Sequence, residues 1–204
     1  FFVTQRGYVK KTELKHFDSP RKGGIRALTI PLEDRLVKVL KVEKDNEVLI
    51  ATKNGMAIRF KEEAARPMGR GARGVIGIKL KTEDHVVGAA VIDPKKSILT
   101  VTKLGYGKRT KPNAYRTINR GGIGVINIKV TEKNGHVVSV RSVKQDDQIM
   151  IITHGGTVIR TAVKEISVIG RNTQGVRIIR LSDDSVVDVA HIKEDDTEST
   201  STDS

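Results

Sequence analysis

Short apolar runs punctuate the chain about every 50 residues: Phe1–Val3, Val48–Ala51, Ile98–Val101 and Ile149–Ile152. Blocks of large or β-branched residues, bounded by turn formers, predict buried strands. A glycine follows each at a shared offset (Gly7, Gly55, Gly105, Gly156), and Asn54-Gly55 and Gly155-Gly156 suit the positive φ of a two-residue hairpin. The return strand ends on a base: Lys11, Arg59, Arg109 or Arg160. About ten residues later, apolar residues alternate after a second glycine, as at Val75, Ile76, Ile78 and Leu80 and at Val125, Ile126, Ile128 and Val130. Turns at Glu33-Asp34, Glu83-Asp84, Asn134-Gly135 and Asp183-Asp184 precede closing strands at Leu36–Val39, Val86–Val91, Val137–Val140 and Val186–Val189. No stretch holds a persuasive period of 3.6, so helix should be minor.

The pattern is a repeat in sequence as well as in hydropathy. TQRGYVKKT from Thr4, TKNGMAIRF from Thr52, TKLGYGKRT from Thr102 and THGGTVIRT from Thr153 superimpose without a gap. PRKGGIRALTI, RGARGVIGIKL, RGGIGVINIKV and RNTQGVRIIRL repeat at the same pace. The expected fold is all-β and propeller-like, with about four four-stranded blades in an open or incomplete ring. Residues 1–190 form the domain, its repeats running over about 1–47, 48–97, 98–148 and 149–190. Residues 191–204 read as a disordered acidic tail.

Composition narrows the core and the partner. Aromatics are only 3% of residues, so Val, Ile and Leu must build the interior, and the absence of cysteine excludes disulfides and thiolate metal sites. No apolar run approaches a membrane span and no signal pattern is present, so the expectation is a cytoplasmic protein without a membrane partner. The chain has 37 basic and 24 acidic residues. The last fourteen hold five acids and one lysine, leaving residues 1–190 with 36 bases, 19 acids and a net charge of +17. Such a surplus points to a polyanion, nucleic acid first.

The candidate binding residues are bases recurring at matched offsets. Lys11, Arg59, Arg109 and Arg160 form one set, with Lys10 and Lys108 beside it; Arg70, Arg120 and Arg171 form another, with Arg21 and Lys22 at the equivalent place in the first repeat. Arg73 and Arg116 lie in the same basic strings. Copied blades would turn these sets into tracks that follow the phosphates of a duplex. Solvated strand ends that discourage edge pairing are the plain alternative. The glycine strings lack the Lys-Ser/Thr ending of a nucleotide loop, the five histidines lack metal-ligand spacing, and no catalytic constellation emerges.

GYVKKTEL, ATKNGMAIRF, RPMGRGARGVIGI, LTVTKLGYGKRT, YRTINRGGIGVINIK and IGRNTQGVRII resemble the C-terminal domain of DNA gyrase A. The resemblance implies a β-pinwheel, whose blades exchange strands with their neighbours, and double-stranded DNA wrapped on a basic perimeter. It implies six blades, of which this chain matches the last four. It also implies the rest of gyrase A, and gyrase B, as partners in an A2B2 holoenzyme that supercoils DNA. ATP and Mg would serve that holoenzyme, with no cofactor in this piece, which should be monomeric alone. The family's Q-R-R-G-G-K-G box is absent; its nearest relative, Asn119–Gly124, carries Ile123 where a lysine is common. The related pinwheel of topoisomerase IV is the runner-up, and a protein-interaction propeller the alternative from another class.

Overall fold

The computed structural model describes residues 1–18 and 22–192, so Arg21 and residues 193–204 of the expected tail lie outside the described residues. The first repeat supplies β1 (Phe2–Thr4), β2 (Tyr8–Lys10) and β3 (Leu36–Val39). The second supplies β4 (Glu47–Thr52), β5 (Met56–Lys61), β6 (Val75–Ile76) and β7 (Val86–Val91). In the third come β8 (Ser97–Thr102), β9 (Tyr106–Thr110), β10 (Val125–Ile126) and β11 (Val137–Val143). The fourth holds β12 (Gln148–Thr153), β13 (Val158–Ala162), β14 (Val176–Arg177) and β15 (Val186–Ile192). The final strand therefore runs two residues past the boundary expected at 190. Among the described residues helix is confined to short 3-10 turns at Leu14–Phe17, Glu62–Ala64, Pro112–Ala114 and Val163–Glu165.

These strands form four small antiparallel sheets, the blades of a β-propeller, ordered β3-β1-β2-β6, β7-β4-β5-β10, β11-β8-β9-β14 and β15-β12-β13. The outer strand of each of the first three blades comes from the following repeat. Val75 pairs with Val9 and Ile76 with Tyr8; Val125 with Ala57; Val176 with Gly107. Among the described residues the fourth sheet has three strands rather than the expected four. The alternating stretch after Gly74 also makes a shorter strand than its pattern predicts, because the amides of Gly77 and Ile78 both donate to Gly7 O, at 2.8 and 3.3 Å. That forked bond lifts the chain off the ladder and pins it to the turn of the preceding blade.

β3, β7, β11 and β15 are the inner strands of their sheets, each beside the next. The apolar core lies between adjacent blades. Val3, Val9, Ile50, Ile58 and Phe60 meet between the first and second; Leu49, Ile98, Tyr115 and Ile128 between the second and third; Leu99, Val101, Ile149 and Ile151 between the third and fourth. A sheet this small is marginal by itself, so burial against the neighbouring blade supplies most of its stability.

Candidate nucleic-acid interface

In the last three repeats the segment linking the hairpin to its lent strand crosses to the perimeter of the preceding blade and carries Arg70, Arg73, Arg116, Arg120 and Arg171, whereas Lys10, Arg59, Lys108, Arg109 and Arg160 lie in the return strands. Many of the candidate bases are spent on protein groups. Arg59 donates from Nε to Glu47 Oε2 at 3.0 Å, and from Nη1 to Pro112 O and Tyr115 O of the next repeat at 2.8 and 3.0 Å. Arg109 donates to Ile166 O at 2.7 Å and Lys164 O at 3.2 Å. Lys11 pairs with Glu62 in the second repeat. The second set reaches the other way: Arg120 donates to Ala64 O and Ile76 O at 2.7 and 2.9 Å, and Arg171 to Ala114 O and Ile126 O of the third repeat. One guanidinium set thus stitches forward and the other back, satisfying carbonyls that the 3-10 turns and lent strands leave open.

Lys10 and Lys108 are fully buried. Lys10 Nζ donates to Ala27 O and Arg70 O at 2.7 and 2.6 Å; Lys108 Nζ donates to Gly170 O and Arg171 O, both at 2.7 Å. Burial, with the Arg171 guanidinium adding, pulls the Lys108 ammonium down to about 7, and burial with Arg70 lowers Lys10 as well. Each lysine nitrogen thus meets two backbone carbonyls.

The tyrosines are structural. Tyr115 is buried with its hydroxyl on Asn127 Oδ1 at 2.6 Å, and burial raises its pKa well above the usual phenol value. Tyr106 accepts from Arg177 Nη2 at 3.0 Å, and Arg73 stacks 4.3 Å from the Tyr8 ring centroid.

Of the remaining candidates, Arg70 is half-buried, while Lys22, Arg73, Arg116 and Arg160 are exposed. The structure adds exposed bases that motif reading passed over: Arg66 matching Arg116, Lys61 matching Lys111, and the series Lys79, Lys129 and Arg180. The last series had a sequence signal. Each follows a buried isoleucine (Ile78, Ile128, Ile179) in an alternating stretch, which places the next side chain on the opposite, outer face. Among the described residues no cluster of His, Asp or Glu could hold a metal ion, and no helix is long and apolar enough to cross a membrane. The glycine strings cross strand edges and open no helix, so they offer no nucleotide cradle of the P-loop kind.

Blades that lend their outer strand to the neighbour, with free bases along the perimeter, define the class: a strand-exchanging propeller, or β-pinwheel. The sequence model of the DNA gyrase C-terminal domain, beta-propeller, matches residues 1–43, 46–93, 96–144 and 147–193, and the chain belongs to that family. It is 57% identical over 199 residues to the DNA gyrase A protein of Halalkalibacterium halodurans, a match that covers 97% of this chain and 24% of the relative. With the DNA gyrase A protein of Salmonella typhimurium it shares 48% identity over 187 residues, 92% of this chain and 21% of the relative. The chain therefore spans less than a quarter of the length of these relatives. Among solved structures, a DNA gyrase A C-terminal domain superposes with a TM-score of 0.84 at 28% identity, over 94% of this chain and 64% of that one. The C-terminal domain of DNA topoisomerase IV gives 0.88 at 28% identity, over 94% and 61%.

Proposed function

We propose that the perimeter of this pinwheel binds and bends double-stranded DNA with little sequence preference, as the DNA-wrapping part of gyrase A. On this reading the chain works joined to the rest of gyrase A and together with gyrase B in the cytoplasm. ATP with Mg acts on gyrase B, and the holoenzyme introduces negative supercoils. One observation carries the proposal: bases left over from the blade seams recur at the same offsets. Arg66 repeats as Arg116, Lys61 as Lys111, and Lys79 as Lys129 and Arg180, all exposed. Lys22, Arg73 and Arg160 extend the set.

Bending a duplex of 20–30 bp costs on the order of 1–6 kcal/mol, which phosphate neutralisation and counterion release must offset. With about six phosphate contacts, the slope of log affinity against log salt is expected near −5. Titrating duplex DNA at several salt concentrations measures it, and a flat slope would overturn the proposal. Replacing Arg66 and Arg116 by alanine should make the slope shallower by about 1 per side chain, without changing sequence preference.

A further inference from the structure

A second group of bases gathers away from the perimeter, at the start of the inner strands. Lys53 and Lys103 follow β4 and β8, while His85 and His136 precede the inner strands β7 and β11. The two pairs occupy matched places in the second and third repeats, whose blades each have a neighbour on both sides. Together they line a cavity of about 500 Å³, whose apolar wall includes the buried Val86 and Val137. Backbone bonds hold the four residues in place. The Lys53 amide donates to His85 O and the Lys103 amide to His136 O, both at 2.8 Å. Lys53 O accepts from the Val137 amide of the next blade at 2.9 Å, which ties one pair to the other.

Their side chains are left over. Among the described residues none of the four enters an ion pair, and no acid lines the cavity. Asp84, beside His85 in the chain, is spent on its own turn. Its Oδ1 accepts from the Asn54 and His85 amides, both at 2.9 Å, and its Oδ2 from the Thr52 hydroxyl at 2.7 Å. Gly135 stands at the matched place in the third repeat, so no carboxylate appears there. Burial and then Lys53 push the His85 imidazole below its ordinary value; Asp84 opposes them and His136 adds to the fall. Concave walls lined by one sign of charge concentrate the potential inside them.

We propose that this cavity binds a small free phosphate, inorganic or the end of a phosphomonoester, between the Lys53–His85 and Lys103–His136 pairs. Its volume suits a small molecule and admits no duplex, so this ligand is separate from DNA on the perimeter. A tetrahedral dianion offers oxygens to both ammonium groups, which act as point-charge donors, and to the imidazole N–H groups. A carboxylate brings a single charge and leaves one lysine uncompensated.

The test is NMR of the imidazole resonances of the 204-residue chain as sodium phosphate is added near neutral pH, with ionic strength held constant by sodium chloride. His85 and His136 should move saturably toward their protonated positions while His16 and His191 stay in place. Lys53→Gln and Lys103→Gln leave the backbone bonds intact, and each should weaken phosphate binding about tenfold. His136→Gln, at an exposed side chain, should repeat the loss if a lysine variant misfolds. No response to phosphate overturns the proposal, as does an equal response to sodium acetate. So does a phosphate response of undiminished affinity in the three variants. Short duplex DNA should leave the bound phosphate in place; displacement would assign the cavity to the DNA backbone and overturn a separate ligand.

Discussion

Residue 108 shows how an apolar slot can hold a charge-capable side chain. The equivalent positions in the four repeats are Lys10, Ile58, Lys108 and Ile159, so the same place between blades takes lysine or isoleucine. Isoleucine needs no partner, whereas lysine must lose its proton or bury a charge, and it turns its nitrogen onto two carbonyls. With the folded Lys108 near 7 and the free side chain at 10.5, the unfolded chain binds more protons between those values. Folding stability from this group therefore rises as pH increases from 7 toward 10.5, and its cost is fully present below 7. Lys108→Ile should fold and lose that pH-dependent gain, which denaturant titrations at neutral and mildly alkaline pH would read. If both proteins respond alike to pH, the ammonium is not held down by burial.

That slot also marks what the sequence left hidden. Lys10 and Lys108 sit in strings that look like basic surface, and their seats form from carbonyls some 60 residues on in the neighbouring repeat, joined at Lys10 by Ala27 O of its own repeat. The isoleucines at the matched positions were the available warning. Arg59 and Arg109 were legible as recurring bases, but not as seam residues. Their partners across the seam are backbone carbonyls, which leave no signature in side-chain identity.

For the elements, the hairpins were readable because their signals are local: a β-branched run, a glycine turn and a return strand. The lent strands were not, since two residues such as Val125–Ile126 pair across nearly 70 positions with nothing nearby to announce it. What secures so short a strand is close approach. Gly124 holds φ +77° and lies against the carbonyl of Ala57, where a methyl group would overlap the oxygen. Gly124→Ala should cost roughly 1–3 kcal/mol through torsional strain and displacement of the strand. A thermal or urea midpoint measures the loss, and an unchanged midpoint would mean that the crossing is slack.

Across the described molecule, three seams tie adjacent blades together through lent strands, stitched guanidinium groups and an apolar core that belongs to no blade alone. Repeat proteins unfold unit by unit when their interfaces are weak relative to the units. Here the interface is the larger share, so loss of protection at Val3 in β1 and at Ile151 in β12 should occur together along a denaturant series. Hydrogen exchange read at those amides checks it; separate midpoints would assign independent stability to the end blades.

Lending strands also imposes an order on synthesis. The first hairpin is complete as chain by Lys10, but its sheet waits for Val75 and Ile76 before its outer edge is paired. The second and third wait for Val125 and Val176 in turn. A chain emerging from the ribosome therefore always trails one unfinished blade, and each new repeat closes the last while opening its own.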